Sequence, residues 1–182
     1  MNNYPIHITS KVSEQQLQNG LFIFIFRASK IPPHIGVIDD GKLYDITSVG
    51  PNLGLSVDDF YRTINRRKTE VIFVELDKLN KEELSSVVEE KVREYWKVSE
   101  NTSCLHPIKD FLTTTYKIDV SEADFIFDLL PILHDNKLIT DISQVNIPEK
   151  KLVDNTFYLT RYTQKDIENC IAALQRKERV TC

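Results

Sequence analysis

Hydrophobic positions along the chain follow two rhythms. Between Leu21 and Leu76 they come in short β-branched and aromatic runs, Leu21 to Arg27, His34 to Ile38, Leu43 to Thr47 and Val71 to Leu76, which predict strands. Asp40-Gly41, between the second and third runs, is a strong two-residue hairpin signal, because a type I′ turn needs positive φ at both central residues. Within this stretch Ser56 to Asn65 reads as a helix, with Val57, Phe60 and Ile64 on one face. From Asn80 onward the rhythm lengthens. Leu84, Val88, Val92 and Tyr95 recur at helical spacing with Glu and Lys opposite, which predicts an amphipathic helix over 81–97, opened by a capping box of Asn80 and Glu83. Further helices are expected over about 104–116, 121–133 and 164–176, with a late strand near 157–161. Strands first and helices after predict an α+β fold, an antiparallel sheet with helices packed on one side. No linker divides residues 1–182, so one domain is expected, its core over about 15–115 and a helical C-terminal extension over about 116–182.

Composition narrows the function classes. The 182 residues are 41% hydrophobic and 27% charged, and the formal net charge is −4. An acidic balance argues against a general electrostatic grip on nucleic acid or anionic lipid. Leu21 to Phe26 is the longest apolar run; it is too short to span a bilayer and lacks the flanks of a signal peptide, so no transmembrane segment and a cytoplasmic setting are expected. The cysteines then read as reduced thiols. Histidines 7, 34, 106 and 134 are scattered, which predicts no metal site, and the chain has no glycine-rich phosphate loop, so no cofactor is expected. Gly54-Leu55-Ser56 lacks the second glycine of a nucleophile elbow, since position 58 is Asp.

Two places carry candidate chemistry. Pro107 is comfortable only in the first turn of a helix, so the helix around it begins at or just before Cys104. A thiol there sits at the positive end of the helix dipole, which favours thiolate, and its backbone N–H is free to serve an oxyanion hole. The competing reading is a small residue packed at a helix start. His34 opens the strand ahead of Asp40-Gly41. With a two-residue loop, His34, Gly36, Asp45 and Thr47 share one sheet face, and Asp45 lies diagonal to His34, where a carboxylate fixes an imidazole's tautomer and supports its charged form. Gly36 beside them leaves room for a close approach. A three-residue loop would put Asp45 on the other face.

The run Leu17-Gln18-Asn19-Gly20-Leu21-Phe22-Ile23-Phe24, then Pro33-His34-Ile35-Gly36-Val37-Ile38, then Gly41-Lys42-Leu43-Tyr44-Asp45-Ile46 resembles the opening of circularly permuted NlpC-type papain-like proteins. That group includes YiiX-like bacterial proteins, poxviral relatives and lecithin–retinol acyltransferases. Leu55 to Phe60 is similar to the family's next helix, and Cys104-Leu105-His106-Pro107-Ile108 to its cysteine-bearing helix start. The resemblance spans about residues 15–115. Asn19-Gly20-Leu21 departs from it in lacking an acidic residue after the glycine, and Ser103 stands where Asn is common. It implies Cys104 as nucleophile, His34 as general base and Asp45 as the residue that orients the base. The expected activity is that of a thiol hydrolase or acyltransferase on an amide, isopeptide or lipid acyl bond. The alternative is an inactive papain-like fold serving as a protein-binding module.

The remaining candidates have plainer readings. His106 competes with His34 as the base, but residues two apart on a helix do not face each other. Ile167, Cys170, Ile171 and Leu174 read as a helix core face, Trp96 as core, and Cys182 as an exposed terminal thiol. Arg66-Arg67-Lys68 sits at a helix end, where cations complement the dipole. Phe22, Phe24 and Phe26 alternate with apolar partners, so both faces of that strand should be covered.

Overall fold

The computed structural model describes residues 3–79 and 83–175. In chain order its elements are β1 (Tyr4–His7), β2 (Ser10–Lys11), α1 (Glu14–Leu17), β3 (Leu21–Phe26), β4 (His34–Asp39), β5 (Lys42–Ile46), β6 (Pro51–Ser56), α2 (Val57–Arg67) and β7 (Val71–Leu76). Then follow α3 (Leu84–Tyr95), α4 (His106–Tyr116), α5 (Ile126–Asp135), β8 (Ile139–Val145), β9 (Leu152–Val153), β10 (Thr156–Leu159) and α6 (Gln164–Gln175). A seven-stranded sheet in the order β2-β8-β7-β3-β4-β5-β6 forms the centre, and β1-β10-β9 make a small second sheet. All pairings are antiparallel except β2 with β8. The class is α+β.

The sheet is covered on both faces, not on one as the order of elements implied. Alternation along β3 explains why. Leu21, Ile23 and Ile25 join Val37, Ile72 and Val74 in a core closed by α3, α4 and α5. Phe22 and Phe24 point the other way, with Ile38, Leu43 and Phe73, into a second core under Val57 and Ile64 of α2. Burial on both faces is the reason the run from 21 to 26 is apolar throughout.

The hairpin forms around Asp40-Gly41 with positive φ at both residues (44° and 78°) and the register Val37↔Tyr44, Ile38↔Leu43, Asp39↔Lys42. Its loop has two residues, so the parity that sends His34 and Asp45 to one face holds. The helix at 81–97 is α3, burying Leu84, Val88 and Val92; of its expected capping box, Asn80 lies outside the described residues. The helix expected from 121 begins only at Ile126. An Asx turn, in which the Ser121 N–H donates to Asp119 Oδ1 at 2.9 Å, occupies the chain before it, and Phe125 enters in extended conformation.

Other differences have local causes. The stretch after 116 is not purely helical, since β8 lies inside the main sheet between β2 and β7. Its buried residues include Ser143 and Gln144, polar side chains that interrupt apolar alternation; Gln144 Oε1 accepts the Ile147 N–H at 2.9 Å. Pro51–Ser56 is a strand whose proline sits at the first position of a sheet edge and whose Gly54, at φ 72°, is the extra residue of a bulge between Leu53 and Leu55. Trp96 is 58% exposed, not core; it caps the end of α3 at a positive φ of 62°. Ile171 is half exposed, and α6 buries Ala173 instead. Cys104 is a free thiol, whereas Cys170 is in a disulfide, which corrects its reading as a reduced core thiol; Cys182 lies outside the described residues. Arg66 and Arg67 occupy the last turn of α2.

Gly36 has a definite use. A Cβ there would sit 2.4 Å from the Phe24 ring and 2.8 Å from Asp45 Cβ. The space the glycine leaves is thus filled from within, by a core aromatic and by Asp45 itself, and not by an approaching ligand. Gly36→Ala should therefore cost about 1–3 kcal/mol of stability, the range for overpacking a filled core. Urea unfolding measures it; a variant as stable as the wild type would contradict this packing.

Candidate active site

His34 is the first residue of β4, at the end of the central sheet, where it pairs with Phe26 of β3. Its ring packs against Phe24 (centroids 6.1 Å apart) and meets Phe26 edge-on at 6.5 Å. Nε2 lies 2.7 Å from Asp45 Oδ2. Asp45 is buried, 6% exposed, with its other oxygen engaged as well: Asn52 donates from Nδ2 to Oδ1 at 2.6 Å. Asn52 stands directly across the β5–β6 ladder from Asp45, so backbone register delivers the amide to the carboxylate. Both carboxylate oxygens are satisfied, which a buried charge requires.

Cys104 comes from the opposite side of the fold, in the turn that leads into α4. Leu105 already has helical dihedrals and its carbonyl accepts the Lys109 N–H at 2.9 Å, while the first assigned helical residue is His106. The expected start at Cys104 is thus displaced by a residue or two. The turn is fixed by Ser103 and His106. The Ser103 N–H donates to His106 Nδ1 at 2.9 Å, and the Leu105 N–H donates to Ser103 Oγ at 3.3 Å. His106 also lies against the Tyr95 ring of α3, centroids 5.7 Å apart. Its Nδ1 is therefore engaged in holding the turn.

What brings this turn to the sheet is a short tether. The Val98 N–H donates to the Thr47 carbonyl at 2.9 Å, joining the segment before Cys104 to the loop two residues beyond Asp45. That loop is itself closed, with Thr47 donating from both N–H and hydroxyl to the Gly50 carbonyl at 2.9 Å. The result is that the Cys104 thiol lies beside the His34 ring, close enough to act on its protonation. Cys104, His34 and Asp45, singled out separately in the sequence, are adjacent in space.

The electrostatics follow from this geometry. Burial opposes the imidazolium. The hydrogen bond to Asp45, then the interaction with the neighbouring Cys104, and electrostatic attraction to both outweigh burial and raise His34 from 6.5 to about 10. Tyr162, buried beside Phe125 and Phe127, is pushed up by burial first and by the Cys104 charge next, so its phenol stays protonated. Sequence reasoning missed two contributors, Asn52 and the Thr47–Val98 tether. Neither belongs to a motif, and both depend on the β6 strand and the turn that precedes it.

Among the described residues no group of three His, Cys, Asp or Glu side chains is placed to hold a metal ion, and no helix is long and apolar enough to cross a membrane. No protein-family model, curated protein or solved structure matches the chain.

Because the His34 value is raised in the folded state, folding takes up a proton at this site. The stability it contributes is complete below about pH 6.5 and is lost as pH rises through about 10. Wild type should therefore lose more stability between pH 6.5 and 10 than His34→Gln, as measured by urea unfolding across that window. Equal slopes for the two proteins would remove the charged pair.

Proposed function

We propose that this chain is a cysteine-dependent hydrolase or acyltransferase with a permuted papain-like arrangement, in which Cys104 attacks the acyl carbon of an amide, isopeptide or lipid ester. The observation that carries this reading is the His34 ring held between Asp45 at 2.7 Å and the Cys104 thiol. An imidazolium next to a cysteine is the environment that favours the nucleophilic thiolate. A structural cysteine packed at a helix start has no need of a buried carboxylate behind its neighbour.

The raised His34 value sets the order of events. His34 enters the reaction protonated, so in the first step it acts as an acid. The thiolate adds to the carbonyl, His34 passes its proton to the leaving amine or alkoxide as the acyl–oxygen or acyl–nitrogen bond breaks, and a thioester remains on Cys104. His34, now neutral, takes a proton from water or an acceptor nucleophile, which attacks the thioester; the acyl–sulfur bond breaks, the acylated product leaves and the thiolate–imidazolium pair is restored. Asp45 holds the ring and stabilises its positive charge throughout. The resemblance to permuted NlpC-type proteins supports the same roles for the same three residues.

A panel of ester, amide and isopeptide substrates tests the reading. Cys104→Ser and His34→Ala should each lower turnover by at least about a thousandfold, since nucleophile and partner act as one unit. Asp45→Asn should lose less, because an amide still orients the ring but cannot neutralise it. Iodoacetamide supplies a substrate-free readout: it should alkylate wild-type Cys104 near neutral pH much faster than Cys104 in His34→Ala. Full activity in Cys104→Ser would end the proposal, and a wild type inert both to substrates and to alkylation would leave the protein-binding module in its place.

A further inference from the structure

Beside Phe26 the surface opens into a cavity of about 420 Å³ lined by five cations and one carboxylate. That size lies within the range of small-molecule sites. The cations converge from three separate parts of the chain: Arg27 and Lys30 follow β3, Arg67 and Lys68 close α2, and Lys151 arrives from the turn before β9. A helix end attracts its own cations through the dipole, which accounts for Arg67 and Lys68 but not for the others.

The single carboxylate, Glu70, is already consumed. Lys151 Nζ lies 2.6 Å from Glu70 Oε1 and donates to Ser29 Oγ at 2.9 Å, and Ser29 in turn donates to Glu70. This network ties the three chain segments together and fixes the floor of the cavity. Among the described residues no ion pair is recorded for Arg27, Lys30, Arg67 or Lys68. Arg27, Lys30, Arg67, Lys68 and Lys151 thus line one concave space with a single carboxylate, in a chain whose net charge is −4. An excess of positive charge around one concave space attracts an anion. Arginine's planar fork matches phosphate oxygens, and lysine adds point charges around them.

We propose that this cavity binds the polyphosphate group of a small ligand. The assignment stands on the cavity and its charges, independently of the chemistry proposed for Cys104. Calorimetry of the full chain with sodium tripolyphosphate at low ionic strength tests it. One site per chain is expected, with affinity falling as salt is added. Arg67→Glu should weaken binding at least tenfold. Lys68→Asn, which suits the left-handed conformation at that position (φ 53°), should weaken it about threefold while preserving the helix end. Lys165→Glu, an exposed charge on α6 outside the cavity, should change it less than twofold, and Cys104→Ser should not change it at all. Absence of binding, or equal weakening by Arg67→Glu and Lys165→Glu in proteins with unaltered melts, would overturn the proposal.

Discussion

The contact between His34 and Asp45 is the constraint around which the rest of the site is built. A carboxylate as buried as Asp45 is expensive to keep charged unless both oxygens are engaged. One oxygen takes the imidazole and the other takes Asn52. Each partner sits where the ladder on its side of β5 places it, so the hairpin register is also the register of the charge network. A slip by one residue between β4 and β5 would turn Asp45 to the opposite face from His34, and one between β5 and β6 would carry Asn52 away from the carboxylate.

Packing then limits how the network can move. Phe24 fills the space above Gly36 and touches the His34 ring, and Phe26 closes its edge. These aromatic walls exclude water from one side of the imidazole, which strengthens its attraction to Asp45 and to the sulfur. Cys104 reaches the ring from a different layer, on a turn pinned by Ser103 and His106 and tied to the sheet through Val98 and Thr47. The site is thus assembled from one hairpin and one helix start, joined by the Val98–Thr47 hydrogen bond and by the packing of Leu105 and Cys104 on the core. The same Phe26 that closes the ring's edge also forms a wall of the cationic cavity, so the two features share one aromatic partition.

Much of this was legible in the sequence because it follows local rules. Asp40-Gly41 specifies a two-residue turn, the turn specifies parity, and parity puts His34 and Asp45 on one face. Pro107 locates a helix start to within a residue or two, and with it the turn that carries Cys104. What was not legible depends on partners distant in the chain. Pro51, Asn52 and Gly54 have the composition of a loop, and become a strand because β5 offers an edge that tolerates a proline and a bulge. Asn52 acquires its role only once that strand exists. Ser143 and Gln144 hide β8 in the same way, since polar residues inside a sheet are satisfied by tertiary hydrogen bonds that no periodicity reports. The apolar run from Leu21 to Phe26 did announce cover on both of its faces, but element order could not say that α2 provides the second cover.

The central claim is that His34 carries a proton at neutral pH because Asp45 and Cys104 hold it there. An NMR titration of the His34 ring measures this directly. The titration midpoint should lie near 10 in the wild type and fall toward the ordinary histidine value in Asp45→Asn. A wild-type midpoint near 6.5, unchanged by Asp45→Asn, would contradict the account.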